Sequence, residues 1–310
     1  MVFQQTTDRP APEFRDLPPV IWIGGGSGAG KSTVSRALAY RFDLAWYRID
    51  AWGYAHRDRL IAKGKLHADA AAETHDQRWL TPSVENLVDR FVEGSVHGFP
   101  LILEDLRAMP TDIAVIVEGP QLFPELVAPY LPDPGWGLWL LPTPEFRRAA
   151  LASRWNASRS TSDAERVQEK LLARNDLLDA RVRSEATAHG LRVVEVDGAR
   201  DLPTMIDHAA DLLAHPLANA PRARTGRQRR ALRRSENDTM ITNVRAWLAD
   251  IGPTGPPDPL LLPFACECDR LGCTAEVERT PADHEALRAT DRHITAPDHA
   301  VPADEPRPAG

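Results

Sequence analysis

This chain has little that would tie it to a membrane or to an oxidising compartment. No uninterrupted apolar stretch approaches the roughly 18 residues that a bilayer-spanning helix needs. The opening MVFQQTTDRPAPEFRD mixes Asp, Arg and Pro with no apolar signal core, so a cytoplasmic protein without membrane contacts is expected. Cysteine is scarce: there are three, all between Cys266 and Cys273. A disulfide framework scatters an even number along the chain, so these three form a local chemical cluster. Internal repeats are absent as well, which excludes a solenoid. What is present is ordinary for a globular protein: 310 residues, 43% hydrophobic and 26% charged, enough for one full domain and a smaller companion.

The formal net charge of −7 argues against a protein that coats nucleic acid. That charge is unevenly spread. Pro216 to Glu236 carries seven arginines (Arg222, Arg224, Arg227, Arg229, Arg230, Arg233 and Arg234) and one acid, which leaves the rest of the chain near −13. Such a run reads either as a solvated linker or as a basic arm that contacts a protein or nucleic-acid partner.

From Pro18 to about His215, strand-like and helix-like patterns alternate. Short apolar runs at Val20–Ile23, Leu44–Ile49, Ala114–Glu118, Gly137–Leu141 and Leu191–Val196 predict five strands. Helical patterns lie between them at residues 31–42, 84–109, 125–131, 144–153 and 163–190. Buried strands alternating with helices predict an α/β fold, a five-stranded parallel sheet flanked by helices. The expected organisation is a loose tail at 1–16, this domain at 17–215, the Arg-rich linker at 216–237, a small Cys-rich module at 238–300 and a disordered tail at 301–310. A short helix from Asp238 to Ile251 precedes GPTGPPDP, a strong breaker. The segment from Ala51 to Pro100 interrupts the rhythm with Trp52, Tyr54, His56, Arg57 and Trp79. It reads either as extra helical packing or as part of a ligand pocket near the strand ends.

Gly25-Gly26-Ser27-Gly28-Ala29-Gly30-Lys31-Ser32, followed by Thr33, fits G-x-x-x-x-G-K-[ST] at every fixed position. Glycines there let the backbone turn tightly and aim N–H groups at phosphate oxygens. Lys31 is placed as a point charge for the outer phosphates, and the Ser32 hydroxyl can join a Mg2+ shell. A helix beginning near Lys31 points its positive end at the same anion. ATP, or GTP, with Mg2+ is the expected ligand.

Two later strands end in acids. Trp46-Tyr47-Arg48-Ile49-Asp50 closes the second; Asp50 can accept a proton from a substrate hydroxyl or orient it, and it can equally be a turn residue. Ile113 to Glu118, followed by Gly119, closes the third, and such a carboxylate can support Mg2+. A motor-type strand usually ends in Asp, often followed by Glu, whereas this one ends Glu-Gly. In these features the sequence resembles the P-loop small-molecule kinases, the group that includes nucleoside, uridine and shikimate kinases. In that group an acid closes the second strand, and an EG-like step can close the third. The resemblance spans roughly residues 18–200. It implies lid arginines after the fourth strand, which neutralise charge on the transferred phosphoryl group. Arg148, Arg154 and Arg159 stand in that region, and Arg154 is the expected catalytic one. Spacing also puts Arg147 with Arg154, and Arg174 with Arg181, on shared helical faces. The loop Asp197 to Arg200 after the fifth strand is where the adenine base packs in that group.

Cys266, Cys268 and Cys273 form C-x-C-x4-C. Three thiolates plus one histidine make a tetrahedral Zn2+ set, with His284, His293 or His299 as the fourth ligand, and three reduced structural cysteines are the alternative. The segment resembles a short Cys-rich module seen in actinobacterial proteins. In that comparison His299 occupies the terminal histidine position, with Asp298 where glycine is expected, and His284 stands at an aromatic position. The resemblance implies a shape and no reaction. Two functions stay open: ATP-dependent transfer to a small-molecule substrate, and an ATP-sensing regulator whose arginines and Cys module contact a partner.

Overall fold

The computed structural model describes residues 16–66, 72–152, 161–251 and 260–299. Five strands, β1 (Val20–Gly25), β2 (Ala45–Arg48), β3 (Val115–Glu118), β4 (Gly137–Pro142) and β5 (Arg192–Val196), form one sheet in the order β2-β3-β1-β4-β5. Every pairing is parallel. The expected five-stranded parallel P-loop sheet is therefore present. All residues of β1, β3 and β4 are buried, because helices cover both faces of the central strands. The edge strands β2 and β5 are less buried.

Strand alternation sorts the core into two layers. Val20, Trp22, Tyr47, Val117 and Trp139 pack on one face against α3 (Val84–Arg107) and α6 (Ala164–Ala188). Ile21, Ile23, Ile116, Leu138 and Leu140 pack on the other against α1 (Lys31–Arg41) and α7 (Leu202–Leu212). A 3-10 turn (Ile49–Trp52) and α2 (Gly53–Ala62) follow β2, α4 (Pro124–Val127) follows β3, and α5 (Pro144–Ala152) follows β4. Trp52 stacks on Tyr47 with ring centroids 5.4 Å apart, so the interrupting segment supplies packing at the β2 edge. No helix among the described residues is long and apolar enough to cross a membrane.

The stretch expected as a linker at 216–237 is structured. α8 (Ala214–Asn219) places Leu217 in the sheet's second layer, and Ala220 follows it there. The next residues join the domain's hydrogen bonding: Ala114 N–H donates to Pro221 O (2.8 Å), and Ala223 N–H to Asp43 O (2.9 Å). The helix expected from Asp238 begins at Gly226 and forms a 26-residue α9 (Gly226–Ile251). Several of its arginines are neutralised rather than solvated, although Arg227 is exposed. Arg233 is buried, lies 3.6 Å from the Tyr40 ring centroid and pairs with Glu236. Arg229 donates to Asp269 O (2.8 Å) and stands 3.7 Å from Asp43, and Arg234 pairs with Asp291 (2.9 Å). Arginine is also a good helix former, so charge neutralisation and propensity act together.

The C-terminal region adds an antiparallel pair, β6 (Leu262–Ala265) and β7 (Glu276–Arg279), and α10 (Pro281–Ala289), which starts with a Thr280/Asp283 capping box. It is bolted to α9 through Asn237, which accepts from Ala265 N–H (2.8 Å) and donates to Ala265 O (2.9 Å) and Glu267 (2.7 Å). Glu267 is fully buried, and Arg288 and the Ile294 N–H hold its carboxylate. The tails and the 252–259 breaker lie outside the described residues.

Candidate functional site

The C-terminal ends of β1, β2 and β3 converge where an open parallel sheet binds its ligands. The loop from Gly25 to Ser32 leaves β1 and enters α1 at Lys31. Gly25 has φ of +115°, and a Cβ there would lie 2.0 Å from the Leu140 carbonyl oxygen, so no other residue fits. A Cβ on Gly26 would lie 2.5 Å from an Asp179 carboxylate oxygen. Lys31 is buried and donates from Nζ to Gly26 O at 2.7 Å, which curls its ammonium back over the loop. Ala29 is packed inside, Ser32 is half-buried and Thr33 is exposed.

Glu118 faces this loop. Its side chain is buried, and Oε1 has no partner among the described residues. Burial raises its pKa; the Lys31 charge, a hydrogen bond with Ser32 and the Arg48 charge oppose that, and the Asp50 charge adds to it. Lys31, Ser32, Asp50 and Glu118 thus form one electrostatic group at the mouth of the sheet. Asp50 sits in the 3-10 turn, exposed, and accepts from Gln121 Nε2 at 3.3 Å. Gly119 allows the close approach of Gln121 and Ile49: a Cβ there would be 2.7 Å from Gln121 Oε1. Gln121 Oε1 is itself buried without a partner. Sequence reasoning missed Gln121, and its only signal was its place three residues after Glu118.

The lid region differs from expectation. Arg154 and Arg159 fall outside the described residues, and Arg148 is exposed. The arginine at the loop is Arg147, from α5. It is buried, donates to Ser27 O (3.3 Å) and pairs with both Asp176 and Asp179 of α6. Burial pushes the Asp179 carboxyl up to about 6 even with the Arg147 guanidinium beside it. Arg174, one turn earlier on α6, lies over the rings of Trp79 and Phe91, and burial lowers its pKa to about 10, with the Arg147 charge contributing. Asp176 and Asp179 are spaced i,i+3 on one helix face and were not singled out from the sequence.

The cysteines meet as a second cluster. Ligand atoms of Cys266, Cys268, Cys273 and His299 all lie within 4.8 Å of one another. His299 Nδ1 stands 3.3 Å from Cys266 Sγ and 3.4 Å from Cys273 Sγ. The other two histidines are engaged elsewhere: His284 stacks on Phe264 and reaches Asp238 (2.9 Å), and His293 lies 3.4 Å from Glu267.

No family model matches this sequence. The chain is 36% identical over 88 residues to a cytidylate kinase from Proteus mirabilis (strain HI4320), which is 28% of this chain and 36% of that protein. It is 33% identical over 87 residues to a cytidylate kinase from Shewanella sediminis (strain HAW-EB3), 28% of this chain and 35% of that one. The chain thus spans about a third of the length of the curated relatives it matches. Among solved structures, a shikimate kinase from Acinetobacter baumannii in complex with shikimate aligns at 17% identity with a TM-score of 0.34, covering 68% of this chain and 98% of that one. A gluconokinase from Sinorhizobium meliloti 1021 aligns at 20% identity with a TM-score of 0.35, covering 66% and 96%. Similarity to small-molecule kinases therefore rests on the sequence matches, and the P-loop fold rests on this chain's own strand order and its Gly25–Ser32 loop.

Proposed function

We propose that the chain is an ATP-dependent phosphotransferase whose acceptor is a small molecule. The observation that carries this reading is Glu118: a buried carboxylate with one oxygen unpartnered, set against Ser32 and Lys31 and facing Asp50. Burying a carboxylate without full compensation is costly, and such a group is retained where a cation completes it. The donor set, one hydroxyl and one carboxylate beside a phosphate loop, fits a hydrated Mg2+. When bound, Mg2+ supplies neutralisation of charge on the outer phosphates.

In this reading Gly25, Gly26, Ser27, Gly28, Ala29, Gly30, Lys31, Ser32 and Thr33 cradle the nucleotide phosphates, and Lys31 turns from Gly26 O to the outer ones. Ser32 and Glu118 hold the metal. Asp50 takes the proton of the acceptor hydroxyl or orients it, with Gln121 steadying its carboxylate. Arg147 stands closest to the loop for charge on the transferred group, and Arg154 is a second lid arginine. The test is direct. Purified protein with Mg-ATP is offered nucleosides, sugars, amino sugars, hydroxy acids and a metabolite extract; ADP should form with at least one acceptor, and Lys31→Ala should abolish it. Arg229, Arg233 and Arg234 are engaged within the molecule, which leaves the exposed Arg224 and Arg227 as the arginines on which the regulator reading would rest.

The Cys cluster is read as a structural Zn2+ site. In a tetrahedral site with zinc–sulfur bonds of about 2.3 Å, ligand atoms stand roughly 3.8 Å apart, and the Cys3His set is contracted to that scale. Native mass spectrometry should find one zinc per chain, lost in Cys268→Ser.

A further inference from the structure

β2 is one edge of the sheet, and α9, which also carries β6, packs beside it instead of a sixth strand. The cover is incomplete. It leaves a cavity of about 350 Å³ bounded by β2, the 3-10 turn, the end of α3, α1, α9 and β6. That volume falls within the range of small-molecule pockets. No residue of the phosphate loop lines it.

Its walls are mostly flat and apolar, with Trp46, Trp52 and Tyr47 presenting rings and Met109 and Met240 adding soft, adaptable contacts. Its charges are nearly all spent. Asp105 accepts from Tyr47 (2.6 Å) and Arg59 and pairs with His56 (2.7 Å). Glu236 accepts from Tyr40 (2.6 Å) and pairs with Arg233. Arg36 pairs with Glu276 and donates to the Tyr40 hydroxyl (3.0 Å). Arg48 is the exception. Its guanidinium lies over the Trp46 ring at 5.7 Å, and its Nε is buried with no hydrogen-bond partner. Both acids in the wall are already neutralised, so Arg48, whose charge otherwise acts only on Glu118 outside the wall, is a cation among these aromatic faces that no wall acid pairs with. An unpaired charged donor out of water is costly, and the group that relieves it is an anion.

We propose that this cavity is a binding site for a small planar anion, an aromatic carboxylate or an aryl phosphate, whose oxygens pair with the Arg48 guanidinium while its ring packs between Trp46 and Trp52. The aromatic faces select the ring, and the planar guanidinium fork suits either carboxylate or phosphate oxygens. The site does not depend on phosphotransfer, and binding is read without nucleotide.

The experiment is calorimetric titration of the full chain with phenyl phosphate, indole-3-acetate and the neutral indole-3-acetamide. At least one anion should bind at millimolar concentration or below and exceed the amide by roughly tenfold or more, the scale of one charge-assisted hydrogen bond. The tighter of the two anions identifies the headgroup. Arg48→Met should remove that margin and leave amide binding unchanged. Ser235→Trp, at an exposed α9 position on the cavity wall, should block all three while preserving the melting temperature, which keeps the test open if Arg48→Met does not fold. Absence of binding by both anions overturns the proposal. So does equal affinity for anion and amide, or anion binding unaffected by Ser235→Trp.

Discussion

The sheet domain and the C-terminal region are held together by different means. In the first, β1, β3 and β4 are buried throughout, and two layers of aliphatic and aromatic side chains fill the space to the helices. In the second, the apolar cluster is small, built around Ile241, Phe264, Val277 and Ile294 with two of the cysteines. The rest of the attachment is polar: the buried Glu267 with Arg288 and Asn237, the arginine ladder of α9, and the thiol–imidazole cluster. A small region with a thin core needs such staples. Hydrophobic layering tolerates loss of one polar contact, whereas a polar staple fails when one partner is removed.

Perturbing each region on its own terms sharpens the contrast. The largest expected effect is removal of the proposed Zn2+. Chelation, or Cys268→Ser, should cost the C-terminal region roughly 5 kcal/mol or more of local stability. Hydrogen exchange should show β6, β7 and α10 losing protection while β1, β3 and β4 keep theirs; uniform loss would erase the distinction. Next is Arg147→Met, which strands Asp176 and Asp179 beside the loop and should destabilise the sheet domain by about 3 kcal/mol in urea titration. Adding Asp179→Asn should recover part of that loss.

Glu118→Gln should act in the opposite direction on stability. The native pKa of Glu118 is raised above its unfolded value of 4.5, so its proton-linked contribution is complete below that pH and is lost as pH rises through the native pKa. Relative to wild type, the variant should therefore gain about 1 kcal/mol at pH 8, and the gain should vanish by pH 4, as read from melting curves. Phosphotransfer should be lost at the same time. The smallest effect is expected from Arg41→Ala, whose partner Asp207 is exposed with it. Its stability should stay within about 0.5 kcal/mol of wild type.

The same contrast explains what could be read from the sequence. All five strands fall within one or two residues of their apolar runs, because period and burial are local properties of those segments. Asp50 and Glu118 were visible because each ends a strand-like run, although β2 itself stops at Arg48 and Asp50 falls in the turn after it, and the P-loop because its spacing follows from its backbone geometry. The start of α9 was misplaced by twelve residues, since the acids that neutralise its arginines (Asp43, Asp269 and Asp291) are far apart in the chain. Arg147 was separated from Arg148 only by a rotation of about 100° around α5, which spacing alone does not decide. Gln121 and the unpartnered Nε of Arg48 depend on tertiary neighbours and left no pattern.

The phosphotransferase reading turns most directly on the comparison of wild type with Asp50→Asn, each incubated with Mg-ATP and the acceptor panel. ADP formation and nucleotide affinity are measured side by side. The account predicts that the variant binds nucleotide as wild type does and transfers at least about 10²-fold more slowly. Transfer at the wild-type rate by the variant would contradict it. So would tight ATP binding by the wild type with no transfer to any acceptor, metabolite extract included.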